Sequence, residues 1–184
     1  MASLRWQLNE AKDREIGSLS LPLDGTRVRA LLRGKFHGQL PPAVRNEPGR
    51  IADMIGLGWP GLVAVSPRLG DGLRRLTGVV LHDLQVGDRA FVGYKILTVT
   101  GACGRVDYRR STEVGRMGEF IELRGLVVDR EDVPTDFAVP ENRETILVTD
   151  SAAQAIRSGE YGNVMLTSMT VIQFHVSQRL MTDQ

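Results

Sequence analysis

A short pattern of apolar and polar residues occurs twice in this chain, first at residues 62–84 and again at residues 146–169. Each copy begins with a mostly apolar run of four residues, continues with apolar residues at helical spacing, and ends with a glycine and a second apolar run. This order predicts a strand, a helix and a second strand in each copy. We therefore expect an architecture built around two similar units.

The start of each predicted helix carries residues suited to that position. Ser66 offers a side-chain oxygen to the unpaired amides of the first turn, and Pro67 occupies the first helical position, where no amide donor is needed. In the second copy Thr149 or Asp150 offers the same cap. The sequence leaves open whether the two strands of a copy are parallel, in which case they would form a compact right-handed crossover.

The composition is typical of a folded protein. The 184 residues are 42% apolar and 24% charged, which is enough for one full hydrophobic core. We expect a single α+β domain over residues 1–184, with mixed or antiparallel sheets and a few short helices. No apolar run reaches the roughly 18 residues of a membrane span, and the first residues lack a signal-peptide core, so we expect a cytoplasmic protein that does not bind membranes.

The remaining elements are predicted from alternation and turn residues. Leu4, Trp6 and Leu8 alternate as in an opening strand, and the turn-rich stretch 34–50 should cross the surface. Ile51–Leu57 is predicted as a short helix or turn. Further strands are predicted at Val28–Leu32, Ala90–Val99, Arg105–Tyr108 and Thr170–Val176, with Gly115 and Gly118 bracketing a connection. Phe120–Leu123 and Gly125–Val128 are predicted as two short strands or as one strand bent around Gly125.

Neither a glycine-rich segment nor the three histidines have the surroundings that a ligand-binding or metal site requires. Residues Gly56–Gly61 match the GxGxxG expression, but a dinucleotide site needs these glycines to open a helix, whereas here they precede a strand. We expect a tight turn in which Trp59 packs on the core, with an exposed Trp59 as the alternative. The histidines His37, His82 and His175 lie in unrelated segments, so we predict no metal site.

Reactive side chains are few. Cys103 is the only cysteine, which excludes an intramolecular disulfide, and we expect it to be a small apolar filler because no nucleophile signature surrounds it. The Tyr108–Arg110 cluster could contact RNA, but Asp107 and Glu113 flank it, so nucleic-acid binding is disfavoured. We predict no catalytic residue and no cofactor.

Charge is distributed unevenly along a chain whose net charge is only +1. Residues 24–50 hold six basic and two acidic residues, whereas residues 129–150 hold seven acidic and two basic residues. Dense charge of one sign favours docking of an oppositely charged partner, although a solvated loop has the same composition. The predicted partner-binding residues are Asp129, Glu131, Asp132, Asp136, Glu141 and Glu144.

Four segments in order give the chain a family resemblance. They are Asp53–Ile55, then Val65–Leu69 with its later Gly-Val, then the Val-Asp-x-x-x-Ser segment Val106–Ser111, and finally Asp136–Pro140 ahead of the second copy. Over roughly residues 33–170 this order resembles the polymorphic-toxin immunity protein family eleven, formerly a domain of unknown function. None of these segments carries catalytic meaning.

The resemblance implies a bacterial cytoplasmic protein, not an enzyme, that binds a cognate toxin and blocks its active or substrate-binding surface. An acidic docking stretch would suit a basic toxin such as a nuclease. Both copies place their apolar residues in the core, so we expect the toxin-binding surface to come from the sequence between the copies, residues 85–145. We favour a monomer. The alternatives are a standalone ligand-binding or scaffold domain and, less favoured, a small hydrolase or a nucleic-acid-binding protein.

Overall fold

The computed structural model describes residues 1–11, 15–47 and 49–182, and it is broadly α+β with about 19% helix and 39% strand. Its helices are α1 Gly25–Leu32, α2 Pro67–Leu73, α3 Asp150–Ser158 and α4 Gln178–Thr182. Its strands are β1 Ala2–Glu10, β2 Ser18–Ser20, β3 Val44–Glu47, β4 Met54–Gly56, β5 Val63–Val65, β6 Val79–Asp83, β7 Lys95–Val99, β8 Thr112–Met117, β9 Phe120–Arg124, β10 Asp132–Val133, β11 Phe137–Ala138, β12 Ile146–Thr149, β13 Val164–Ser168 and β14 Gln173–Ser177. Among the described residues, no helix is long and apolar enough to cross a membrane.

The first copy of the repeated pattern forms part of a four-stranded sheet with the order β4-β5-β7-β6. The strands β5 and β6 are each antiparallel to β7, so they are parallel to each other and lie on its two sides. Leu97 of β7 pairs with Val63 on one side and with Leu81 on the other. The predicted strand-helix-strand order is confirmed, with a third strand between the two parallel ones. We call β4, β5, α2, β6 and β7 the first unit.

The second copy has the same arrangement around a strand from the other end of the chain. β12 and β13 are each antiparallel to β1, and β11 pairs with β12. Leu8 of β1 pairs with Ile146 on one side and Leu166 on the other. We call β11, β12, α3, β13 and β1 the second unit. The opening strand predicted around Leu4, Trp6 and Leu8 is therefore confirmed, and it completes this unit.

The two helix starts are capped as the sequence predicts. The Leu69 amide donates to Ser66 Oγ at 3.2 Å, and the Ala152 amide donates to Thr149 Oγ1 at 3.4 Å. Thr149, and not Asp150, is the cap of α3. A serine or threonine at this position satisfies one amide that the helix leaves unpaired.

An aspartate just before β4 connects the first unit to the second. Asp53 accepts hydrogen bonds from the Ser66 hydroxyl in its own unit and from the Gly162 amide at 2.7 Å in the turn that follows α3. Arg68 also pairs with this carboxylate. Asp53 thus holds the cap of its own helix and the return loop of the other unit.

Asp136, just before β11, makes the equivalent bonds from the second unit to the first. It accepts from the Thr149 hydroxyl at 3.2 Å, from Ser151 at 3.1 Å, and from both the amide and the hydroxyl of Thr77 at 2.9 Å. Thr77 lies in the turn that follows α2. Each unit therefore holds the return loop of the other through one carboxylate, so these contacts are reciprocal.

The helices of the two units share one core cluster. Leu69 and Leu73 of α2 lie in the same buried cluster as Ala152 and Ile156 of α3. The predicted apolar face of α2 is confirmed, since Arg68 and its other charged residues are exposed. This common core positions the loops that lie at the ends of both sheets.

A separate sheet with the order β14-β9-β8 covers a second cluster. Ile121 and Leu123 of β9 and Phe174 and Val176 of β14 point into this cluster, whereas β8 lies beyond it with almost every residue exposed. The closing strand predicted at Thr170–Val176 is confirmed as β14. The predicted strand Phe120–Leu123 is confirmed as β9.

Four sequence predictions are wrong in kind. Gly125–Val128 is not a strand, because β9 ends at Arg124 and only Val128 forms an isolated bridge, with Val106. Val28–Leu32 is the second half of α1 and not a strand, because the Asp24 side chain caps the helix by accepting the Thr26 and Arg27 amides at 3.0 and 2.9 Å. Ile51–Leu57 contains β4, whose residues pair with β5.

Arg105–Tyr108 forms no strand, because a 3₁₀ turn at Tyr108–Arg110 begins within it and is capped by Asp107. Two other predictions differ in extent. The strand predicted at Ala90–Val99 starts only at Lys95, since a 3₁₀ turn occupies Arg89–Phe91. The connection bracketed by Gly115 and Gly118 is mostly strand β8.

Candidate functional site

An open groove of about 1390 Å³ lies where loops of both units meet β1 and the β2–β3 pair. It is lined by the second half of β1, by the β4–β5 connection, and by parts of four other segments. The polar lining side chains are Gln7, Asn9, Glu10, Ser18, Asn46, Glu47, Arg143, Glu144, Thr145 and Asn163. Polar groups from both units and from the β2–β3 pair therefore converge on this concave surface.

The side of the groove along β1 is fixed by three side-chain hydrogen bonds. Gln7 Nε2 donates to Thr145 Oγ1 at 2.7 Å, which ties β1 to the segment before β12. Glu10, at the end of β1, accepts a hydrogen bond from the Gly56 amide. Asn163 Nδ2 donates to the carbonyl of Met54 at 2.9 Å. The lining is therefore supported by contacts between the two units.

The β4–β5 connection forms one rim and contains the glycines singled out in the sequence. Gly58 and Gly61 have φ of 80° and 72°, which favour glycine. A Cβ on Gly61 would lie 3.0 Å from the Glu144 carbonyl oxygen, so the loop packs tightly on the equivalent loop of the second unit. The prediction of a tight turn before a strand is confirmed. Trp59 lies in this turn beside Gly25 and is 38% exposed, so the alternative of an exposed Trp59 describes it better than packing on the core.

Arg143 is the cation among the groove residues that the structure describes, and it packs against an aromatic ring. Its guanidinium lies 4.4 Å from the centre of the Phe174 ring. Burial lowers the pKa of Arg143, and the neighbouring Tyr108 hydroxyl and Glu144 oppose that effect. A half-buried arginine held against an aromatic face is oriented by packing as well as by charge. Sequence reasoning missed Arg143, because no pattern in its own segment indicates these neighbours.

Three carboxylates line the same groove. Glu10 is engaged by the Gly56 amide, Glu47 is exposed, and Glu144 lies 3.9 Å from Arg29 of α1. Among the lining residues that the structure describes, these three and Arg143 give a formal charge of −2. The lining is therefore complementary to a segment with positive charge.

The six residues predicted to bind a partner are divided among separate places. Only Glu144 lies in the groove. Glu131 pairs with Arg5 at 3.9 Å and Asp132 accepts a hydrogen bond from Ser3, so both lie beside the start of β1.

The other three predicted residues lie elsewhere. Asp129 accepts the Arg105 amide at 2.7 Å, and the amide of the exposed Glu141 donates to Gly104 at 2.8 Å, which places both beside this turn. Asp136 holds the loops of the two units, as described above, and its oxygens are used inside the fold. The six residues therefore do not make one continuous face.

The acidic and basic stretches partly meet each other. Arg33, directly after α1, donates to the carbonyl oxygens of Pro140 and Glu141 at 3.1 and 2.9 Å, and Arg29 of α1 lies near Glu144. Part of the opposite charge that the sequence separates by about a hundred positions is thus brought together within the molecule. This contact reduces the charge that the acidic stretch offers to a partner.

The other candidate chemical groups are placed away from the groove. Cys103 is fully buried, and burial raises the pKa of its thiol to about 12, as expected for an apolar filler. His82 lies beside Thr98, with Nε2 and Oγ1 3.0 Å apart, while His175 lies opposite Glu122 in the β9–β14 pair. Within the described ranges, no group of three or more His, Cys, Asp or Glu side chains is arranged to hold a metal. Tyr108 is buried and its ring is not available for base stacking.

No protein-family model matches this chain, and no curated protein is significantly similar to it.

Proposed function

We propose that this protein is a bacterial immunity protein, which acts in the cytoplasm by binding a cognate toxin and covering its active or substrate-binding surface. The resemblance in the four sequence segments suggests this role, and the open acidic groove is the structural observation that supports it. The groove, rather than the whole 129–150 stretch, is the proposed docking surface.

The size and shape of the groove favour a protein segment over a small molecule. Pockets for small ligands enclose about 300–1,000 Å³ and cover most of the ligand surface. This groove is larger, at about 1390 Å³, and open to solvent. An inserted loop or hairpin of a partner fits such a surface better than a metabolite does.

The charge of the groove indicates the chemistry of that segment. Glu10, Glu47 and Glu144 outnumber Arg143, so a segment with exposed lysine or arginine would meet complementary charge. Toxin domains that act on nucleic acid carry such basic surfaces because they bind phosphate. The proposed target is therefore a basic toxin domain whose nucleic-acid-binding surface is covered on binding.

The proposal is tested by co-expressing the protein with the toxin domain encoded beside its gene. We expect the two proteins to co-purify, and we expect the protein to restore growth to cells that express the toxin. If the purified protein neither binds that toxin domain nor protects cells from it, the proposed function is wrong.

Charge reversal tests the docking surface separately. The double variant Glu47→Lys, Glu144→Lys should weaken toxin binding by about tenfold or more and slow association, with a larger effect at low salt. The matched variant Glu131→Lys, Asp132→Lys makes the same change in charge beside the start of β1 and should leave binding nearly unchanged. If the second variant weakens binding and the first does not, the toxin is bound at the start of β1 and not in the groove.

A further inference from the structure

Strand β8 is an edge strand that is exposed on both faces. Among the described strands it pairs with β9 alone, and of its six residues only Gly115 is even partly buried. Its outer edge therefore presents main-chain donors and acceptors to solvent, which is the feature that recruits another strand. Val114 and Met117 on β8 and Phe120 on β9 are 39%, 68% and 41% exposed.

A bulge gives β8 an unusual symmetry. Glu113 pairs with Leu123 and Gly115 pairs with Glu122, so Val114 is the extra residue. The extra residue brings Glu113 and Arg116 onto the same face, where Arg116 Nη2 donates to Glu113 Oε2 at 3.0 Å. The order Thr112, Glu113, bulge, Arg116, Met117 therefore places opposite charges at equal distances from the bulge.

We propose that β8 pairs antiparallel with β8 of a second copy of this chain, about a twofold axis through the bulge. In this register Glu113 of each copy lies opposite Arg116 of the other on one face of the joined sheet. Thr112 lies opposite Met117 of the second copy on the other face. The six-stranded sheet that results contains both copies of β14, β9 and β8.

The order of Glu113 and Arg116 along β8 favours a second copy of this chain as the strand that pairs with the outer edge of β8. Opposite charges directly across two strands are favourable and like charges are unfavourable. The twofold register gives two Glu–Arg pairs, whereas a shift by one residue would move these side chains to opposite faces. Main-chain hydrogen bonds supply the affinity in this mode of association, and the side chains supply the register.

Single charge reversals test the register directly. Glu113→Lys places two Lys–Arg pairs in the dimer and Arg116→Glu places two Glu–Glu pairs, so each variant alone should stay monomeric near 20.3 kDa at concentrations where the wild-type protein has twice that mass. An equimolar mixture restores two pairs of opposite charge, so it should form a heterodimer. Molar mass measured by light scattering or sedimentation distinguishes these states.

The equimolar mixture of the two variants distinguishes pairing between two chains from an ion pair that only stabilises one chain. The Glu113–Arg116 ion pair within a chain is lost in both variants, and mixing them cannot restore it. A matched control is the exposed pair Asp71–Arg74 on α2, with a distance of 3.3 Å; Asp71→Lys and Arg74→Glu should leave the dimer intact.

A monomeric wild-type protein at every concentration tested would overturn the proposal, and so would a mixture that stays monomeric. Either result would mean that the bulge protects this edge from association, as bulges do elsewhere. Because β8 contributes nothing to the groove, neither result bears on toxin binding.

Discussion

Asp53 and Asp136 are the residues through which each unit holds the other. Burial alone would raise the pKa of both carboxyl groups, but the hydrogen bonds they accept outweigh burial, and each pKa lies below its ordinary value of 3.8. For Asp136 the donors are Thr77, Ser151 and Thr149. A folded-state pKa below the unfolded-state value means that ionisation of these groups stabilises the fold above about pH 4.

The variant Asp136→Asn should therefore lower the free energy of unfolding by about 1–3 kcal/mol at pH 7, because an NH₂ group replaces an acceptor that faces partly buried donors. The stabilisation by the carboxylate is lost as the pH falls through its folded-state pKa, so the difference between variant and wild type should shrink below about pH 4. Urea unfolding at pH 7 and pH 3 measures both effects.

The control for Asp136 is Asp71→Asn on the exposed side of α2. Asp71 is also an aspartate, but its side chain is 68% exposed and its ion pair with Arg74, at 3.3 Å, lies at the surface. We expect a change within about 0.5 kcal/mol. An equal loss of stability in both variants would contradict the role assigned to Asp136.

Helix α2 contains two glycines that the repeated architecture makes comparable with α3. Gly70 and Gly72 follow the Ser66 cap by four and six residues, and the residues at the same distances from the Thr149 cap are Ala153 and Ala155. A Cβ on Gly70 would lie 3.4 Å from Leu81, an ordinary contact. Glycine in a helix costs up to about 1 kcal/mol relative to alanine. Gly70→Ala should therefore stabilise the protein by about 0.5–1 kcal/mol.

Gly72→Ala, in the same helix, should give no such stabilisation. A Cβ there would lie only 2.0 Å from the Tyr161 hydroxyl, so the ring would have to leave its contact with Arg68, whose guanidinium lies 5.0 Å from the ring centre. We expect Gly72→Ala to be neutral or destabilising. Thermal unfolding of both variants would test this, and stabilisation by both would show that Tyr161 is not fixed against α2.

The elements that the sequence predicted best are those specified by neighbours in the chain. The helix of each repeated unit has a cap, a periodic apolar face and a stop within a few residues, so its position followed from local chemistry. The strand predicted at Val28–Leu32 was wrong because a mostly apolar stretch of five residues fits the period of a strand or of a helix. The cap at Asp24, four residues before Val28, is what favours the helix.

Strand partners depend on packing between distant segments. The period-2 pattern around Leu4–Leu8 predicted a strand, but it carried no sign that β1 would lie between β12 and β13. The groove was unpredictable for the same reason, because its lining comes from segments that are distant in the chain. The charge pattern predicted Glu144 but could not show that Arg29 and Arg33 would lie against the acidic stretch.

At the scale of the molecule, the repeated units differ from two independent modules because each lacks something the other supplies. The core cluster contains residues of both helices, and each return loop is held by a carboxylate of the opposite unit. Separation of the units would expose that cluster and leave both aspartates without their partners across the interface. We therefore expect the two units to unfold together.

The two tryptophans provide a probe for each unit. Trp6 lies on β1 in the second unit, with its indole N–H 2.7 Å from Asp150 Oδ1, whereas Trp59 lies in the β4–β5 connection of the first unit. In Trp6→Phe the fluorescence reports the first unit, and in Trp59→Phe it reports the second. Within each variant, the urea midpoint from fluorescence should coincide with the midpoint from far-UV circular dichroism. A fluorescence transition that is separated from the dichroism transition in either variant would mean that one unit unfolds alone, and that the contacts between Asp53 and Gly162 and between Asp136 and Thr77 do not couple the units.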